Sequence, residues 1–94
     1  MIRVEAAPGS LLLRGHAGTA PQGADLVCAA VSILAETLAR QLPEGAALLA
    51  PGRAEFHFGE NNPAAAFVLA GLELLARHCP QAVTVTWVHS HCVS

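Results

Sequence analysis

The sequence predicts an α+β domain of order ββαββαβ, with two helices packed with antiparallel β-hairpins in a sheet. Two observations carry the prediction. Pro8-Gly9 and Pro51-Gly52 each separate two short, largely apolar runs, as hairpin turns do. Two longer apolar stretches, Asp25 to Gln41 and Asn62 to about Cys79, start at capping residues and stop before prolines, as helices do.

Each element follows in order. Ile2, Val4 and Ala6 alternate with Arg3 and Glu5, the period-two signature of a strand, and Ser10 to His16 supplies its hairpin partner. Gly15 to Gly23 holds three glycines and Pro21 and reads as a loop. Asp25 then caps the first helix. The first half of that helix, Leu26 to Ala35, has almost no polar face, so it is expected to be buried on more than one side, between two sheets or between one sheet and a partner subunit. Ala46 to Ala50 and Arg53 to Phe58 form the second hairpin. Asn62-Pro63 opens the second helix with a cap and a first-turn proline, and Glu73 and Arg77 stand at the i,i+4 spacing of an ion pair. Ala82 to Val88 is the final strand, and Trp87 within it is expected in the core or an interface.

Length and composition narrow the function. The 94 residues allow one domain, 1–94. Charged residues are only 13% and hydrophobic ones 53%, which excludes disorder and suggests a shared apolar surface, hence a homo-oligomer. The net charge is −2 and the arginines are scattered along the chain, so direct nucleic-acid binding is not expected. The longest apolar stretch falls well short of the roughly 20 residues of a membrane span. Glu5 breaks any signal-peptide core, and three well-separated cysteines suit a reducing cytoplasm. A cytoplasmic location follows.

The chemistry concentrates between Gly15 and Ser32. A histidine, His16, ends a strand, and a cysteine, Cys28, lies in the first turn of the next helix. A helix N-terminus and a nearby imidazolium both favour thiolate over thiol, and the free amides there can hold an oxyanion. Asp25, Cys28 and Ser32 fall at i, i+3 and i+7 on one helical face. Asp25 would orient His16 or simply cap the helix; Ser32 would donate to the thiolate or peptide, or back-bond to a helix carbonyl. This pattern suits a Cys/His nucleophilic enzyme, although a lone Cys in an alanine-rich helix is more often a small core residue. The glycines match neither phosphate-binding pattern, so no nucleotide cofactor is expected. His89, His91 and Cys92 offer soft ligands but fall short of the four a structural zinc site needs, so no metal is expected.

The run Gly15-His16-Ala17-Gly18-x-Ala20-x-x-Gly23-x-Asp25-Leu26-Val27-Cys28-Ala29-Ala30-Val31-Ser32 resembles the signature of the ribosomal-processing cysteine protease (Prp) family. That resemblance implies a homodimeric thiol protease acting in ribosome biogenesis. Its substrate would be the N-terminal extension of large-subunit ribosomal protein L-twenty-seven. Cys28 would be the nucleophile and His16 the general acid/base, with Asp25 and Ser32 supporting them. Ala17, Gly18, Thr19, Ala20 and Gly23 would lie in a loop over the peptide, and Thr19 stands where an aromatic residue is common. The alternative from another class is a non-catalytic module of the same fold that escorts a ribosomal protein without cutting it.

Overall fold

The computed structural model describes residues 1–15 and 24–88, with the side chains of Ala24 and Asp25 excepted. Its elements follow the expected order: β1 (Ile2–Ala7), β2 (Ser10–Gly15), α1 (Ala24–Gln41), β3 (Ala47–Ala50), β4 (Arg53–His57), α2 (Pro63–His78) and β5 (Val83–Trp87). The five strands form one sheet in the order β3-β4-β2-β1-β5. Both hairpins are antiparallel as predicted, and β2 and β4 join them antiparallel. The sheet is nonetheless mixed, because β5 returns from α2 to lie parallel to β1, with Ile2 opposite Val83. A crossover through a helix brings a strand back in the same direction.

The pleat sorts the two faces. Ile2, Val4 and Ala6 of β1, Leu11 and Leu13 of β2, Ala54 and Phe56 of β4, and Val83 of β5 are buried on one face. Both helices cover that face. Val27, Val31, Ala35, Leu38 and Leu42 of α1 and Ala65, Val68 and Leu72 of α2 complete a single core. Phe56, Leu38 and Leu72 are wholly inaccessible, so truncating any one of them would open a cavity.

The opposite face is open and polar. Arg3, Arg14 and Arg53 stand directly abreast on β1, β2 and β4. These three arginines are therefore not scattered in space, a correction that only the strand order could supply. Arg14 pairs with Glu5 at 2.6 Å and Arg53 with Glu55 at 2.7 Å, which relieves the like-charge row.

The helices differ in small ways from expectation. α1 begins at Ala24, which puts Asp25 inside the first turn instead of at the cap. The described strands form a single sheet, so α1 is not sandwiched between two sheets, the first of the two expected coverings. The sheet covers one side and α2 another, because the crossover to β5 lays α2 on the same face, and Leu26 and Ile33 remain exposed. On α2, the Asn62 side chain accepts from the Ala65 amide at 2.9 Å, as the cap was expected to do, and the helix ends at Cys79 before Pro80. Glu73 does not pair with Arg77; its carboxylate accepts instead from Trp87 Nε1 at 3.4 Å. Trp87 is 58% exposed on an edge strand and does not belong to the core. Among the described residues, no helix is long and apolar enough to cross a membrane.

Candidate active site

A cleft of about 360 Å³ opens between α1, the end of β2 and the turn joining β3 to β4. The helical wheel explains which side chains reach it. With Val31 and Ala35 directed at the sheet, residues 28, 32 and 36 fall in line on the adjoining flank, because four residues nearly complete a turn. Cys28, Ser32 and Glu36 accordingly line one wall. Leu49, Ala50, Pro51 and Gly52 form the opposite wall, and Leu13 and Ala54 lie at its base.

Gly15 occupies the rim where β2 ends. Its amide donates to the carbonyl of Gly52 at 2.9 Å, tying the end of β2 to the β3–β4 turn. Its φ is +100°, and a Cβ there would collide with the carbonyl oxygen of Met1. Glycine is thus required on two counts, by the backbone conformation and by the approach of the N-terminal strand.

Cys28 is a free thiol, half-buried, packed against the core on one side and opening on the cleft on the other. It is the fifth residue of α1, just past the first turn where it was expected. The field of a helix end falls off within that turn, so the helix alone is a weak activator at this position. Ser32 lies one turn further along the same wall and is exposed. Asp25 belongs to the first turn of α1. His16, Ala17, Gly18, Thr19, Ala20 and Gly23 lie outside the described residues, as do His89, His91 and Cys92. Of the predicted site, then, Cys28 and Ser32 are brought together, and the chain reaches the cleft's rim at the residue before His16.

Two contributors escaped the sequence reading. Glu36 continues the 28, 32 spacing by one more turn and was legible from that spacing. The Leu49 to Gly52 segment was not, because nothing in a linear pattern says that β4 pairs with β2. Among the described residues, no three His, Cys, Asp or Glu side chains gather to hold a metal ion. The cleft as described offers a thiol, a hydroxyl and a carboxylate along an apolar trough, the setting for an extended peptide and an attacking sulfur.

Known structures share this architecture. The crystal structure of SMU.848 from Streptococcus mutans is similar at a TM-score of 0.72 and 25% identity, covering 96% of each chain. Two structures of the essential ribosomal processing protease Prp from S. aureus are also similar. One, in complex with a covalently linked product peptide, has a TM-score of 0.72 and 17% identity. The other, in complex with a substrate peptide, has a TM-score of 0.73 and 15% identity. Each match covers 94% of this chain and 100% of the other, and at such identities the likeness to the S. aureus protein establishes the fold. No curated protein matches the sequence. The model of the Peptidase_Prp family, cysteine protease Prp, matches residues 1–84, and the chain therefore belongs to that family.

Proposed function

We propose that this chain is a cytoplasmic cysteine endopeptidase that removes the N-terminal extension of ribosomal protein L-twenty-seven. The observation that carries the reading is the cleft, with Cys28 on its wall and Gly15, the residue before His16, at its rim. Family membership supports the reaction class. The S. aureus structures with a substrate peptide and a covalently linked product peptide support the kind of ligand.

In the proposed mechanism His16 takes the proton of the Cys28 thiol, and Sγ attacks the scissile carbonyl carbon. Amides of the first turn of α1, which lack partners within the helix, supply donors for the oxyanion. The imidazolium gives its proton to the leaving amine as the C–N bond breaks, leaving a thioester on Sγ. A water then loses a proton to His16 and attacks the thioester; the C–S bond breaks, Sγ takes the proton back from His16, and the carboxylic acid product gives its own proton to solvent. Asp25 orients the imidazole, Ser32 donates to the bound peptide, and Ala17 to Gly23 close over it.

We further propose a homodimer as the working form. Leu26 and Ile33 on α1 and Phe67 and Leu74 on α2 are each two turns apart and at least half exposed, a surface suited to a second copy.

The deciding experiment is mass spectrometry of a peptide spanning the extension, incubated with the wild type and with Cys28→Ala. A single cut by the wild type and none by the variant is expected. Cutting by both would refute Cys28 as nucleophile. No cutting by the wild type, with binding by Cys28→Ala, would put the escort module in place of the enzyme.

A further inference from the structure

We propose that Glu36 is a specificity-determining residue that receives a lysine or arginine side chain of the peptide, three or four residues from the bond cleaved. The inference rests on the protease reading and deepens it.

Position is the first argument. Glu36 lies eight residues after Cys28 on the same wall of the cleft. At about 1.5 Å per residue, the two stand about 12 Å apart along the helix axis. An extended peptide advances about 3.3 Å per residue, so a chain laid along this wall with its scissile carbonyl at Cys28 reaches Glu36 after three or four residues. The intervening stretch carries the Ser32 hydroxyl and is otherwise apolar, formed by Val31 and Ala35 with Leu13 and Leu49 across from them.

Charge is the second argument. Glu36 is the single carboxylate among the described residues lining the cleft. The two arginines at the rim, Arg14 and Arg53, are already engaged by Glu5 and Glu55. No described cation lies within ion-pair distance of Glu36, and its side chain is exposed. A carboxylate at one end of an apolar trough discriminates by sign: it attracts a cation and repels a carboxylate. Apolar contact near the scissile bond would then supply affinity, and the terminal charge would set the register of the peptide.

The test walks one lysine through the four positions on either side of the scissile bond of the extension peptide, with norleucine as the uncharged control and glutamate as the opposite charge. Wild type is expected to cut the lysine peptide faster at one position, three or four residues from the bond, by about two- to fivefold in kcat/KM. In Glu36→Gln that preference disappears, and in Glu36→Lys it reverses in favour of glutamate at the same position. Equal losses on lysine and norleucine peptides, or no preference at any position, would overturn the proposal while leaving the protease intact. If the wild type cuts none of the peptides, the protease reading fails on its own. Fluorescence anisotropy of the same peptides on Cys28→Ala and on Cys28→Ala/Glu36→Gln then decides. A lysine preference confined to the first variant sustains the role of Glu36 in recognition, and its absence removes it.

Discussion

Gly15 is the residue on which the site depends most and which itself does no chemistry. Its positive φ and the carbonyl of Met1 leave no room for a methyl group. Gly15→Ala should therefore cost about 1–3 kcal/mol. At about 4–8 °C per kcal/mol for a domain near this size, a thermal melt would show a clear fall. Cleavage should suffer as well, because the displaced residue leads directly into His16. The cysteines offer a second contrast. Cys28 and Cys79 are both half-buried free thiols, but only Cys28 opens on the cleft. Near neutral pH iodoacetamide should modify Cys28 first, as read by peptide mass mapping; equal slow labelling would speak against a catalytic thiol. These residues also mark how far sequence carries. The Cys28 and Ser32 pairing was legible because helical spacing is periodic. The collision at Gly15 was not, because Met1 comes alongside only when β1 and β2 pair.

Among the elements, α2 is the one whose limits were most readable. Asn62, Pro63 and Pro80 mark its ends by local chemistry alone, and the structure keeps all three in those roles. Asn62→Ala removes the acceptor for the Ala65 amide and should lower stability by about 1 kcal/mol, measurable by urea titration. Gly71 tells the opposite story. It stands where α2 meets α1, and a Cβ there would come within 3.2 Å of the Leu34 side chain. Its place in an apolar helix gave no sign of this contact. Gly71→Val, with branching at that point, should push the helices apart and lower the midpoint further than Asn62→Ala does. Strand existence was similarly legible from alternation, whereas strand neighbours were not. The parallel pairing of β5 with β1 and the adjacency of β2 and β4 depend on contacts far apart in sequence.

At the scale of the whole molecule, two helices on one face of a sheet leave an apolar outer surface and a charged open one. The apolar excess in composition foretold the first, and Phe67, at 79% exposed, is its most prominent member. If this surface joins two copies, sedimentation equilibrium should return twice the 9.7 kDa chain mass, and Phe67→Glu should shift it toward one. The row of Arg3, Arg14 and Arg53 was hidden in composition, since only the strand order lines them up. The pairing of Ile2 with Val83 has a further consequence, in time instead of space. During synthesis β1 emerges early but must wait for β5 before its outer edge is satisfied, and long-range pairing of this kind folds slowly. Until then the nascent chain carries a bare strand edge, and Ile2, Val4 and Ala6 are incompletely covered. The fifth strand therefore closes the sheet last, only after almost the whole described chain has been made.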